Sequence, residues 1–104
     1  MSDTLTRLAA TIAARAGDDP DVSYTASLLA RGTGACARKF GEEAVEAVVA
    51  ALEADRDALT GEAADVLYHL QVLLQAAGVE WDDVLTRLAA REGTSGHAEK
   101  AARG

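Results

Sequence analysis

Apolar residues recur along this chain at the spacing of an amphipathic helix. The first such set places Leu5, Leu8, Ala9, Ile12 and Ala13 on one helical face. This pattern predicts a first helix from about Asp3 to Ala16, and the breaker residues at positions 17–20 end it. Strands would show apolar residues at every second position with β-branched and aromatic side chains, and no segment shows that pattern. The sequence therefore predicts helices and no strands.

Four more helices are predicted from caps and breakers further along the chain. Ser23 or Thr25 caps a short second helix that ends near residues 32–34. The third runs from about Ala35 to Ala54, and the fourth from about Ala58 to Ala77 with Gly78 as the terminating residue. The fifth starts at Asp82 or Asp83, continues through Ala89 and is stopped by Gly93. We therefore predict an all-α fold, a small bundle of about five helices, in one domain over residues 1–104.

Composition excludes several classes of protein. The 104 residues include 17 acidic and 10 basic side chains, a net charge of −7, which argues against a nucleic-acid or anionic-membrane binder. The single cysteine rules out a disulfide scaffold, and with two histidines it is too few for a Cys/His zinc site. No segment approaches the roughly 20 apolar residues of a membrane span. We expect a cytoplasmic protein.

The acidic residues are concentrated on the third and fourth predicted helices. Eight of the 17 lie between Glu42 and Asp65. On the third helix Glu42, Glu43 and Glu46 occupy one compact arc, and on the fourth Glu62 and Asp65 form an i, i+3 pair. Because the connection between the helices is short, they are expected to be antiparallel neighbours. Their acidic arcs can therefore converge.

Two interpretations of these carboxylates remain open. They are either ordinary solvated glutamates or ligands of a metal ion. Glu43 and Glu46 have alanine, not a basic residue, four positions later, so salt bridging does not explain them. Facing like charges destabilise a fold unless a cation lies between them. Hard carboxylate oxygens select Mg²⁺ or Mn²⁺, whose coordination is commonly completed by substrate phosphates.

Several other side chains are candidates for substrate contact, each with a structural alternative. His69 lies on the same face as Glu62 and Asp65, where it either binds substrate or simply pairs with one of those acids. Arg38 and Lys39 precede the acidic run and serve either helix pairing or phosphate binding. The tail places Ser95 and Gly96 between basic residues, a composition that suits a phosphate but is also common at frayed termini.

The acidic motifs and several other segments of the chain resemble those of a known family. An ExxE pair, Glu43 and Glu46, is followed after 15 residues by ExxD, Glu62 and Asp65, the mark of the MazG-like all-α nucleotide pyrophosphatases. The narrower resemblance, to the phosphoribosyl-ATP pyrophosphatase family of histidine biosynthesis, rests on four segments: Ser23-Tyr24-Thr25, Arg38-Lys39-Phe40-Gly41-Glu42-Glu43, Glu62-Ala63-Ala64-Asp65-Val66-Leu67-Tyr68-His69 and Ser95-Gly96-His97-Ala98-Glu99-Lys100-Ala101-Ala102-Arg103. They follow the family's order over nearly the whole chain. His97 and Ala98 depart from it.

The resemblance implies Mg²⁺-dependent hydrolysis of phosphoribosyl-ATP to phosphoribosyl-AMP and pyrophosphate, by a stand-alone domain. It implies metal ligation by Glu43, Glu46, Glu62 and Asp65, with Glu42 alongside, and proton transfer by Glu43 or Glu46. Candidates for substrate binding are Arg38, Lys39, His69, Ser95, Lys100 and Arg103. A homodimer is also implied, and apolar positions on the fourth helix form a broader surface than a lone bundle needs: Val66, Leu70, Leu73 and Ala77, with Leu67 and Leu74.

Two further functions compete with this one. A MazG-type pyrophosphatase that removes stray nucleoside triphosphates would share the metal motif and differ in substrate. An acidic helical interaction module would share the composition and lack Mg²⁺-dependent chemistry. A comparison of phosphoribosyl-ATP with common nucleoside triphosphates separates the first alternative, and a Mg²⁺-dependent thermal shift separates the second.

Overall fold

The computed structural model describes residues 3–93, and within them it contains five α-helices and no strand. The helices are α1 (Thr4–Arg15), α2 (Tyr24–Ala30), α3 (Thr33–Leu52), α4 (Arg56–Ala77) and α5 (Trp81–Arg91). The all-α prediction is confirmed. Differences of two residues occur at both ends of α3, which runs from Thr33 to Leu52 rather than from Ala35 to Ala54, and at the start of α4, which begins at Arg56 rather than Ala58.

Short polar side chains begin three of the helices. Asp3 accepts a hydrogen bond from the Thr6 amide at 2.7 Å, and Ser23 accepts one from Ala26 at 3.1 Å. Asp55 caps α4 in the same way, accepting from the Ala58 amide at 3.0 Å. Each bond satisfies one of the amides that have no partner in the first turn of a helix.

The antiparallel pair of α3 and α4 forms the centre of the fold. A turn at residues 53–55 joins them, and they make more contacts with each other than any other pair of helices. Helices α1 and α2 pack against this pair, and the four meet in a small core of Ile12, Leu28, Cys36 and Val72. The Cys36 thiol donates to the Leu28 carbonyl oxygen at 3.3 Å, which fixes α2 against α3.

Two apolar surfaces remain outside this core. Val45, Val48, Val49 and Leu52 form what we call the apolar face of α3, and all four side chains are exposed. Helix α5 is strongly amphipathic by sequence, yet none of its residues is buried. Within residues 3–93, no helix has a stretch long and apolar enough to cross a membrane.

Candidate metal centre

Three carboxylates from α3 and α4 converge at one point. Glu43, Glu62 and Asp65 each offer an oxygen within 4.8 Å of the other two, and we call them the carboxylate cluster. Helical phase explains the arrangement: Glu62 and Asp65 are one turn apart on α4, and Glu43 is turned toward them from α3. Glu43 is buried with 7% of its surface exposed, whereas Asp65 faces solvent. The cluster is thus buried between α3 and α4 at Glu43 and exposed to solvent at Asp65.

The cluster fits a hard divalent cation on two observations. Glu62 Oε2 is buried and has no hydrogen-bond partner among the described residues, a costly state for a carboxylate oxygen. Nearby, hydrogen bonding with Glu43 raises the pKa of Glu46, and the charges of Glu43 and Glu62 raise it further. Negative charge is therefore in excess here, and all the donors are oxygens, the set that Mg²⁺ prefers.

Lys39 supplies positive charge at the edge of the cluster. Its Nζ lies 3.3 Å from Glu43 Oε1 and 3.9 Å from Glu42 Oε1. The expectation that salt bridging does not account for Glu43 is therefore corrected, because its partner lies one turn before it on α3 and not after it. Burial raises the pKa of the Glu43 carboxyl, but hydrogen bonds with Glu46 and Lys39 outweigh burial and lower it.

His69 lies beside the cluster in an aromatic setting. The ring is buried and makes edge contacts with Tyr68, at 5.0 Å between centroids, and with Tyr24, at 6.3 Å. Burial lowers the pKa of His69 and outweighs the attraction of nearby carboxylates, so the neutral imidazole is favoured. Among the described residues, no hydrogen bond or salt bridge joins His69 to Glu62 or Asp65, so the predicted pairing with one of these acids is absent.

A hydrogen bond to α2 holds the Tyr68 side chain in place. Its hydroxyl lies 2.5 Å from the Thr25 hydroxyl on α2. Tyr24, the neighbouring residue on α2, stacks on the Tyr68 ring with centroids 6.4 Å apart and an interplanar angle of 17°. These contacts place α2 directly against the part of α4 that carries the cluster.

Comparison with known proteins decides the family. The family model for phosphoribosyl-ATP pyrophosphohydrolase matches residues 5–92. The chain belongs to this family. A phosphoribosyl-ATP pyrophosphatase from Cereibacter sphaeroides strain KD131 is 64% identical over 100 residues, which cover 96% of this chain and 97% of the relative. Its counterpart from Rhizorhabdus wittichii is 59% identical over 103 residues, covering 99% of this chain and 97% of the relative. The resemblance drawn from the motifs is confirmed.

The predicted site residues of this family member lie in different places, and His69 beside the cluster has been described above. Glu43, Glu62 and Asp65 form the carboxylate cluster, and Glu46 adjoins it. Glu42 is not among the three converging residues and contacts Lys39 instead. Arg38 lines a groove between α2 and α3, together with Lys39. Ser95, Lys100 and Arg103 lie outside the described residues.

Two polar residues of that groove, Tyr24 and Arg31, were not among the predicted site residues. Tyr24 belongs to the Ser23-Tyr24-Thr25 segment of the resemblance, and Arg31 lies in none of the four segments. The only sequence signal for Arg31 is its place at the end of α2, next to the glycine that precedes α3.

Proposed function

We propose that this chain hydrolyses phosphoribosyl-ATP to phosphoribosyl-AMP and pyrophosphate with Mg²⁺, the second step of histidine biosynthesis, in the cytoplasm. The observation that carries the proposal is the convergence of Glu43, Glu62 and Asp65 in a member of the phosphoribosyl-ATP pyrophosphohydrolase family. Relatives that span nearly the same length are named phosphoribosyl-ATP pyrophosphatases, which supports the same substrate for this chain.

Glu43, Glu62 and Asp65 are the residues that would hold Mg²⁺, with Glu46 and Glu42 at the margin of the cluster. When bound there, Mg²⁺ would neutralise charge on the substrate phosphates and activate a water molecule for attack. Glu46 is the better candidate to accept a proton from that water, because it adjoins the cluster without being one of the three converging carboxylates. Glu43 is held ionised by Lys39 and is better suited to binding cations.

The remaining candidates would bind the substrate's anionic groups. Lys39 reaches the cluster and can share its charge with a phosphate, and Arg38 lies one residue before it on the groove. His69 is favoured in its neutral form, so it would donate or accept a hydrogen bond rather than carry charge. We assign Ser95, Lys100 and Arg103 to phosphate contact on the resemblance of the tail alone.

We further propose that the protein is a homodimer. The apolar face of α3 carries four exposed aliphatic side chains, and Leu67 is exposed on the neighbouring helix α4. A second copy of the chain is the occupant we assign to this surface, since contiguous exposed apolar side chains commonly mark an interface.

The decisive assay measures pyrophosphate release from phosphoribosyl-ATP, with Mg²⁺ and then with EDTA, beside a panel of ordinary nucleoside triphosphates. We expect release from phosphoribosyl-ATP that requires Mg²⁺ and far slower release from the panel. Faster release from the panel would keep the metal chemistry and replace the biosynthetic role with nucleotide removal. If no substrate were hydrolysed and Mg²⁺ left the unfolding temperature unchanged, the enzyme proposal would be refuted in favour of an interaction module.

A further inference from the structure

A basic groove adjoins the carboxylate cluster, and Lys39 and Glu42 lie where the two meet. Its volume is about 260 Å³, and we name it the α2–α3 groove. Its lining consists of Tyr24, Leu28, Arg31, Ala35, Arg38, Lys39 and Glu42. Three cationic side chains and one carboxylate line this groove, although the whole chain has a net charge of −7. Such a local excess of positive charge in an acidic protein favours an anionic ligand.

The two arginines of the groove are available for binding. Within residues 3–93, neither Arg31 nor Arg38 has a salt-bridge or side-chain hydrogen-bond partner, and both are exposed. Lys39, in contrast, is already paired with Glu42 and Glu43. Guanidinium groups bind phosphate through two parallel hydrogen bonds, so a pair of unpartnered arginines on one groove is well suited to a phosphate dianion.

Lys39 connects the groove to the cluster. Lys39 lines the groove, and its Nζ lies 3.3 Å from the Glu43 carboxylate of the cluster. One extended ligand can therefore lie in the groove and reach the cluster with its other end. A ligand with a single compact anionic group would occupy only one of the two.

Tyr24 gives the groove an aromatic wall. The side chain is 56% exposed, yet its ring is held in place by stacking on Tyr68 and by the edge of His69. Tyr68 is fixed in turn by its hydrogen bond to Thr25. An exposed aromatic ring held this way suits contact with a nucleobase or a sugar that lies between two anionic groups.

The proposed substrate has two anionic ends of different chemistry. Phosphoribosyl-ATP carries the triphosphate that it shares with ATP, and a second phosphate on the added ribose. We propose that the α2–α3 groove binds this phosphoribosyl end and that Arg31 and Arg38 hold its phosphate, so that the groove distinguishes phosphoribosyl-ATP from ordinary nucleoside triphosphates. The inference rests on the proposed function, because it takes the substrate from there and assigns the triphosphate to the cluster.

The test compares two substrates in Arg31→Gln and Arg38→Gln. For each variant we expect kcat/KM for phosphoribosyl-ATP to fall about 10- to 100-fold, mainly through KM, since a hydrogen bond to a charged group contributes about 1.5–3 kcal/mol. The response to ATP, measured as slow turnover or as competitive inhibition, should stay within about twofold of wild type, because ATP lacks the second phosphate. Arg15→Gln, at the exposed end of α1 and outside the groove, is the matched control that loses the same charge.

A second readout needs neither Mg²⁺ nor turnover. Ribose 5-phosphate, titrated into the metal-free protein and followed by NMR shifts, should perturb groove residues in the wild type and in Arg15→Gln, and more weakly in both groove variants. An equal loss for phosphoribosyl-ATP and ATP, or no loss for either, would overturn the inference while the proposed function stood. Failure of the wild type to hydrolyse phosphoribosyl-ATP would refute the proposed function itself.

Discussion

At the scale of single residues, the carboxylate cluster combines repulsion with burial. Glu43, Glu62 and Asp65 place like charges within 4.8 Å of one another, and Glu62 Oε2 is both buried and unpartnered. Packing of α3 against α4 imposes these positions. The repulsion and the unpartnered oxygen therefore destabilise the metal-free protein, and a bound cation would remove both effects. Neutralising one carboxylate should therefore preserve or raise the stability of the metal-free protein, and it should lower the activity.

Glu62→Gln tests this opposition. Without metal, we expect its unfolding temperature to equal or slightly exceed that of the wild type, because one like charge is removed. Turnover should fall at least about 100-fold, because a lost metal ligand removes several kcal/mol of transition-state stabilisation. The thermal shift produced by Mg²⁺ should disappear. Calorimetry with and without Mg²⁺, together with the pyrophosphate assay, measures all three quantities.

Asp18→Asn is the control for this experiment, since it removes one exposed acidic charge from the loop after α1, away from the cluster. It should keep both the Mg²⁺-dependent thermal shift and turnover. If Glu62→Gln turned over normally at saturating Mg²⁺, Glu62 would not be a ligand. If the variant unfolded well below the wild type without metal, the buried carboxylate would be a structural requirement and not a cost.

Cys36 offers a pH-dependent prediction away from the cluster. Burial raises the pKa of its thiol above the ordinary 9.0, and the thiol donates to the Leu28 carbonyl oxygen. As pH rises above about 9, the unfolded chain releases this proton first, so the free energy of unfolding should fall. Cys36→Ala should lack that part of the decline, which urea titrations from pH 8 to 10 would show. Equal declines in both proteins would contradict the prediction.

At the scale of elements, two glycines of α4 should respond to alanine with opposite signs. Gly78 ends the helix at φ 75°, a left-handed conformation that costs an alanine about 1 kcal/mol. Gly61 lies inside α4, and an added Cβ there would meet no atom within 4 Å. Gly78→Ala should therefore destabilise the protein by about 1 kcal/mol, and Gly61→Ala should stabilise it by about 0.5–1 kcal/mol. Urea denaturation checks both values, and the same sign for both would refute the argument.

The sequence predicted those features of the helices that are decided locally. Gly78 as the terminator of α4 is confirmed, and so is Ser23, one of the two caps predicted for α2, because each acts on the turn beside it. The predicted start of α3, Ala35, is two residues later than the observed start, because Gly34 suggests a break in the helix. The chain instead turns at Gly32, with φ 91°, and is already helical at Thr33. Asp55 likewise starts α4 earlier than its alanine-rich body suggested.

The carboxylate cluster could be predicted for the same reason and the groove could not. Helical phase and a short connection are enough to bring Glu62 and Asp65 toward α3, as they do. The groove depends on how α2 packs against α3, which is set by contacts such as the Tyr68–Thr25 hydrogen bond between residues distant in sequence. Arg31 carries no local mark of that packing.

At the scale of the whole molecule, one chain leaves its apolar surface incompletely covered. The radius of gyration is 15.7 Å, against about 13 Å for a compact domain of this length. Helix α5 contributes no buried residue, and the apolar face of α3 is exposed as well. A small helical chain with this much unpaired apolar surface gains stability by pairing with another copy.

Val48→Glu tests the proposed homodimer at the middle of the apolar face of α3. The wild type should sediment as a dimer at micromolar concentration, and the variant should shift to monomer, because burying an unpaired carboxylate in an interface is strongly unfavourable. Val22→Glu is the matched control: Val22 is 84% exposed in the loop before α2, outside this face, so that variant should remain dimeric. A wild type that sedimented as a stable monomer would refute the dimer. A Val48→Glu variant that stayed dimeric would instead place the interface on another surface, and α5 would be the next helix to test.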